Sequence, residues 1–261
     1  MTARRAMMDW GDGHYELTAR ELESGAERVV TTASLRSGER VLDLGCGTGN
    51  AAILAARAGA QVLAMDPAPR LLEVTAERAR AEGLELETAE GHGSETERDD
   101  NEFDAVVAVF SVIFAPEPDS VAREMLRVTR PGGRIVMASW TPTGAVHASV
   151  MALLAHLPGF SVPDSPWGDE AALGERFPGE ELIVSRHQLS FHSTSAEDWF
   201  DTNVREHPVW RAFHRGILEA GGDWERGRSE SVAALAQSNE DSSGFRVTSD
   251  YLVAKVLKRD F

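Results

Sequence analysis

Val41-Leu42-Asp43-Leu44-Gly45-Cys46-Gly47-Thr48-Gly49-Asn50 decides how this chain is read. Apolar residues surround a single aspartate, and three glycines then fall at every second position. The pattern predicts a buried strand that delivers the chain into a tight loop, with a helix over residues 51–58 behind it. Glycine supplies positive φ and lets the backbone approach a ligand with no side chain in the way. Open α/β sheets bind ligands in the crevice at the carboxyl ends of their strands. The segment therefore predicts a nucleotide-like cofactor held at this place in the chain.

Spacing narrows the cofactor. A phosphate cradle of the P-loop kind needs a lysine and a hydroxyl residue after the second glycine. Neither follows here, and the chain has only two lysines, Lys255 and Lys258. The dinucleotide fingerprint is G-x-G-x-x-G, whereas this loop reads G-x-G-x-G with Asp43 two residues ahead of the first glycine. An acid there repels a pyrophosphate but suits an ammonium or sulfonium group. The segment resembles the first motif of the class I S-adenosylmethionine-dependent methyltransferases. That resemblance implies S-adenosylmethionine as cofactor, with Asp43, Gly45, Cys46 and Gly47 among its contacts.

The next segments follow the same family order. Residues 61–65 read as a second strand that ends at Asp66, 21 residues after Gly45. A carboxylate there can accept from two adjacent ribose hydroxyls, or cap the helix expected over residues 70–81. Pro67 follows, where an adenine face can rest. A third strand over 84–89 leads to Glu90-Gly91-His92-Gly93. The family usually carries Gly-Asp-small at this point, and His92 stands where the aspartate is expected. A neutral imidazole accepts one hydrogen bond from the adenine amino group, more weakly than a carboxylate; a solvent-facing loop histidine is the other reading. The backbone of Gly93 keeps its expected contact.

Residues 103–110 are nearly all apolar and fit a strand buried on both faces of a parallel sheet. The resemblance places the backbone of Phe110 and Ser111 near the methionine part of the cofactor. Asp119 or Ser120 is expected to cap a helix through Val128, which stops before Pro131. The turn Arg130-Pro131-Gly132-Gly133-Arg134 then opens a fifth strand over 135–140.

Together these motifs imply an α/β fold: a doubly wound, mainly parallel seven-stranded sheet of the Rossmann-like methyltransferase kind, with an antiparallel last strand and a helical cover. Residues 1–35 are expected to cover the site through a helix at 16–34, and residues 36–140 to form the cofactor-binding core. Residues 141–261 complete the same domain, with strands at 181–192 and 251–258. Helices at 196–204, 208–220 and 224–237 make up a substrate-cover insertion of about 193–248. Trp199, Phe200, Trp210 and Phe213 are expected to pack helix on helix. Tyr15, Phe114 and Trp140 are the candidate substrate-pocket aromatics. His14, beside the covering segment, is the first candidate general base, ahead of His92, His147, His207 and His214. His207 and His214 are seven apart and could share a helix face, but that is not the i, i+4 spacing of a helical metal site, so no metal is expected.

Composition bounds the partners. The chain has 261 residues and a net charge of −16, from 26 basic and 42 acidic side chains. Such a balance argues against nucleic acid, which is bound through Lys and Arg, and against anionic membrane surfaces. No apolar run approaches the length of a membrane span. The first ten residues lack the apolar core of a secretory signal, and the single Cys46 allows no internal disulfide. The expectation is a cytoplasmic protein, monomeric or homodimeric. Arginine far outnumbers lysine, as in GC-rich bacterial genomes, which often encode natural-product tailoring. The expected activity is methyl transfer to oxygen or nitrogen of a small metabolite or natural product. The alternatives are a scaffold or regulator that binds S-adenosylmethionine without methyl transfer, and an NAD(P)-dependent oxidoreductase.

Overall fold

The computed structural model describes residues 8–161 and 167–260; residues 1–7, with most of the expected non-signal N-terminus, and 162–166 lie outside them. The apolar run at 103–110 sits in the middle of a seven-stranded sheet, as its two-faced burial requires. Its strands are β1 (Arg40–Leu44), β2 (Gln61–Asp66), β3 (Glu87–Glu90), β4 (Phe103–Val109), β5 (Thr129–Trp140), β6 (Glu181–Ser193) and β7 (Phe245–Leu257). Their order is β3-β2-β1-β4-β5-β7-β6. β1 through β5 pair in parallel, and β7 runs antiparallel to β5. The expected mainly parallel sheet with an antiparallel last strand is present.

The helices are α1 (Tyr15–Glu21), α2 (Glu23–Ala33), α3 (Asn50–Arg57), α4 (Pro69–Ala81), α5 (Pro118–Val128), α6 (Ala145–Leu154), α7 (Glu170–Arg176), α8 (Ala196–Glu206), α9 (Pro208–Glu219) and α10 (Trp224–Gln237). Strand order reverses between β1 and β4, so the loop after β1 lies at the switch point of the sheet, where such folds open a crevice.

Several boundaries depart from the sequence reading. The helix expected over 16–34 breaks at Leu22, which takes φ −90° and ψ 0°; its carbonyl then accepts from Gly25 and Ala26 to start α2 afresh. Neither Asp119 nor Ser120 caps α5. Glu117 is the cap residue, and Pro118 starts the helix with its φ already fixed. β3 is shorter than expected because it is an edge strand, where a long pairing face is a liability. The Arg130–Arg134 turn is absorbed into β5 as an irregularity: the register jumps from Phe103–Thr129 to Ala105–Arg134, and Gly132 takes φ +67°.

The chain forms two compact units. Among the described residues, the larger comprises 22–142, 167–189 and 250–260, and the smaller comprises 8–21, 143–161 and 190–249. The larger has its core in Leu42, Val106, Phe103, Met125, Ile135 and Met137, none of them more than trace-exposed. In the smaller, Trp199, Phe200, Trp210 and Phe213 do pack helix on helix: Trp210 lies 5.7 Å from Trp199 and 5.2 Å from Phe200, edge to face. There too α6 meets α10 through two fully buried serines, Ser149 and Ser231, whose hydroxyls are 2.6 Å apart.

Candidate functional site

The glycine loop is tied to β2, and the end of β1 that leads into it is tied to Ser111 beyond β4. The N–H groups of Gly45 and Cys46 both donate to the carbonyl of Met65 on β2, at 2.8 and 2.9 Å. Ser111, just past β4, donates its hydroxyl to the Leu44 carbonyl at 2.6 Å. Asp66, at the tip of β2, accepts the Gly47 N–H through Oδ2 and the Ala68 N–H through Oδ1, each at 2.9 Å. One carboxylate thus fixes both the loop and the entry to α4. Gly45 is at φ +71°, and a Cβ there would stand 2.4 Å from Ser111 Cβ. Gly45→Ala is expected to lower unfolding free energy by about 1–3 kcal/mol, the usual range for overpacking. Urea titration checks this; a change within about 0.5 kcal/mol, typical of neutral surface substitutions, would show that the loop has spare room.

Two buried carboxylates set the electrostatics. Asp43 is 1% exposed, and among the described residues its Oδ2 has no hydrogen-bond partner. Burial pushes its carboxyl up to about 7, against the pull of the Ala52 N–H, and the nearby Asp66 charge pushes the same way. Asp66 is also raised by burial, opposed by its two backbone N–H partners and by His92. Cys46 is buried beside them; burial and the charges of Asp43 and Asp66 push its thiol up, so it is no nucleophile. An unpaired buried carboxylate is costly unless a cation meets it. The arrangement suits a positively charged ligand and opposes a pyrophosphate.

At the end of β4, Phe110 holds φ +52°, a strained value for a bulky residue. Its ring stacks on Trp140 at 4.1 Å with 12° between planes, and meets Tyr251 edge-on at 5.3 Å. On the α2 side, a Cβ at Gly25 would come within 2.7 Å of the Phe110 ring. The strained backbone is therefore held by an aromatic stack and a helix glycine. Trp140, expected as a pocket aromatic, is the partner of Phe110 in this stack. Phe114 lies in a 3-10 turn at Val112–Phe114 and is 40% exposed.

Sequence reasoning missed Tyr251, which sits opposite Trp140 in the β5–β7 register. Its signal was available: an antiparallel partner strand must place one side chain directly across from Trp140. Burial raises the Tyr251 phenol and lowers neighbouring His187, 5.5 Å away; Arg28 pulls both downward.

His92 is exposed, bridges to Glu95, and lies close enough to Asp66 for its charge to act there. Gly93 packs near Leu44 and Val121, and Pro67 is half-buried after Asp66. His14 and Tyr15 belong to the smaller unit. His14 is exposed, and its backbone N–H donates to the Glu206 carbonyl at 2.8 Å. Tyr15 packs edge-on against Trp10 and His207, at 5.9 and 5.8 Å. His207 does not share a helix face with His214. It is the cap of α9: its Nδ1 accepts the Val209 N–H at 3.1 Å, and burial pushes it down to about 4. Among the described residues, no helix is long and apolar enough to cross a membrane.

Residues 41–133 match the methyltransferase-domain family. An uncharacterised protein of Mycobacterium tuberculosis is 37% identical over 209 residues, 76% of each chain. Methyltransferase GfsG of Streptomyces halstedii is 37% identical over 127 residues, 48% of this chain and 46% of its own. The fold is shared with phosphoethanolamine N-methyltransferase 2 of Haemonchus contortus, solved with S-adenosylhomocysteine: TM-score 0.57 at 16% identity, over 91% of this chain and 53% of that one. With its glycine loop at the switch point of a β3-β2-β1-β4-β5-β7-β6 sheet, the chain belongs to the class I methyltransferase family.

Proposed function

We propose that this methyltransferase uses S-adenosylmethionine to methylate oxygen or nitrogen of a small molecule. The observation that carries the cofactor is the buried Asp43 oxygen without a protein partner beside the glycine loop. Two raised carboxylates at one loop favour a cationic ligand over a dinucleotide, which weakens the oxidoreductase alternative. In this reading Asp43, Gly45, Cys46 and Gly47 hold the methionine end. Asp66 and Pro67 take the ribose and adenine, with lone pairs of Asp66 still available beyond its two backbone bonds. His92 and Gly93 flank the adenine, and the backbone of Phe110 and Ser111 lines the remaining side.

When bound, the cofactor supplies a methyl group on a sulfonium, an electrophilic carbon. The protein's task is then to align the acceptor and keep water out. Residues 36–140 serve the cofactor, while the smaller unit, with its 193–248 helices, selects the acceptor. Phe114 and Trp140 are the acceptor contacts proposed within the larger unit; within the smaller unit, taken by itself, Tyr15 is the proposed acceptor contact and His14 the proposed base. The net charge of −16 supports a small molecule over nucleic acid. Relatives in Mycobacterium and Streptomyces support a bacterial setting, and natural-product tailoring is the context proposed from the excess of arginine over lysine.

Calorimetric titration with S-adenosylmethionine, S-adenosylhomocysteine and NAD tests the reading. Binding of both sulfur compounds without NAD is the expected result; binding of NAD alone would overturn it. His92 in place of the usual aspartate favours one second reading, a protein that binds the cofactor without transferring methyl. Methyl consumption in an acceptor screen separates the two.

A further inference from the structure

We propose that Thr75 and Arg78, one turn apart on α4, are positioning residues that hold the glycine loop in its cofactor-binding shape before any ligand arrives. The inference rests on the cofactor reading above and adds two residues that lie outside the sequence motif. Thr75 is fully buried, and its Oγ1 donates to the Gly47 carbonyl at 2.9 Å. The N–H of that same glycine is held by Asp66 at 2.9 Å. Gly47, at φ +54°, is thus gripped on both sides, by a carboxylate through its donor and by a hydroxyl through its acceptor. The methyl of Thr75 fills the inside of the turn: a Cβ at Gly49 would fall 2.7 Å from it. Cys46 Sγ lies 4.0 Å from the same hydroxyl.

Arg78 completes the grip. Its Nη1 donates to the Thr48 carbonyl at 2.6 Å, to Asn50 Oδ1 at 2.8 Å and to Thr48 Oγ1 at 3.2 Å. Acceptor oxygens of residues 47, 48 and 50 are all engaged from one face of α4, because positions i and i+3 share that face. A glycine-rich loop has many accessible conformations, and ordering it on binding would weaken affinity. A loop already clamped binds without that loss.

The test compares Thr75→Val, Thr75→Ser, Arg78→Met and Arg78→Lys. S-adenosylhomocysteine affinity is read by calorimetry, and amide exchange of residues 47–50 is read in the ligand-free protein. Thr75→Val and Arg78→Met are expected to bind about tenfold or more weakly, with faster loop exchange and most of the parent melting temperature retained. The serine and lysine variants restore the donors and are expected to recover most of the affinity. Should Thr75→Val fail to fold, the Arg78 pair carries the same comparison. Parent-like affinity in Thr75→Val and Arg78→Met, or losses that track the folded fraction alone, would overturn the proposal. If the parent itself does not bind S-adenosylhomocysteine, the cofactor reading falls, and the clamp is judged on exchange: unchanged exchange overturns it.

Discussion

Asp43→Asn is expected to stabilise the ligand-free protein at pH 8 while weakening its hold on S-adenosylmethionine. The folded-state carboxyl is pushed from 3.8 to about 7, with burial as the first cause. As pH rises from about 4 to 7, the unfolded chain releases this proton while the folded chain keeps it. Stability therefore falls through that window and levels off above it. Every tenfold difference in proton affinity between the two states is worth about 1.4 kcal/mol, so the stability difference between variant and parent is expected to grow by about 2–3 kcal/mol between pH 5 and pH 8. Asparagine keeps an oxygen for the Ala52 N–H but never ionises. Urea titrations of both proteins at the two pH values check the slope. Identical pH profiles would mean that Asp43 is comfortable as an anion without a ligand. In the binding assay, the variant is expected to lose about tenfold or more in affinity for the cation, since about 1.4 kcal/mol is tenfold. With both results, the carboxylate would destabilise the empty fold and serve the proposed ligand, the trade-off expected of a functional site.

The glycine loop was legible because its signals are local: strand, loop and helix lie within consecutive residues, and their chemistry is carried by glycine and one acid. The order of strands was legible only through the family resemblance, since pairing is non-local. What the sequence hid was mostly tertiary. Nothing in residues 16–34 marks the break at Leu22, which lacks a side-chain cap. The stack of Phe110 on Trp140 depends on the ends of β4 and β5 lying side by side, and the placement of Tyr251 on the register of β7. His207 read as one of a histidine pair because its capping bond is visible only once α9 begins at Pro208. The two bonds of Asp66 were half anticipated. A helix cap was expected from its position, but the cap residue is Ala68, without a side-chain cap bond, and Asp66 accepts the N–H of Ala68 just ahead of the helix; the bond to Gly47 needs β1 and β2 adjacent.

That second bond makes Asp66→Ala the other large effect. The substitution leaves the N–H groups of Gly47 and Ala68 without their acceptor in a buried place. An unsatisfied buried donor costs about 1–3 kcal/mol, so for two donors a loss of about 2–6 kcal/mol of stability is expected. Burial has already raised the Asp66 carboxyl, and removing it returns part of that penalty at neutral pH, which favours the lower half of the range. Asp66→Asn separates the contributions. Its one oxygen can accept only from one side, and its NH2 then faces the other N–H, donor against donor. It is expected to lose about half as much stability as alanine and to move the loop rather than the start of α4 if its oxygen stays on Ala68. Affinity for S-adenosylhomocysteine, measured per folded molecule, is expected to fall by a further amount of about 1.5–3 kcal/mol in Asp66→Ala, the range for hydrogen bonds to a charged group. The two readouts answer different questions. Parent-like stability would sink the structural tie between β2, the glycine loop and α4. Reduced stability with unchanged affinity would leave that tie standing and sink the ribose assignment, since the loop would then reach its binding shape on the ligand without the carboxylate.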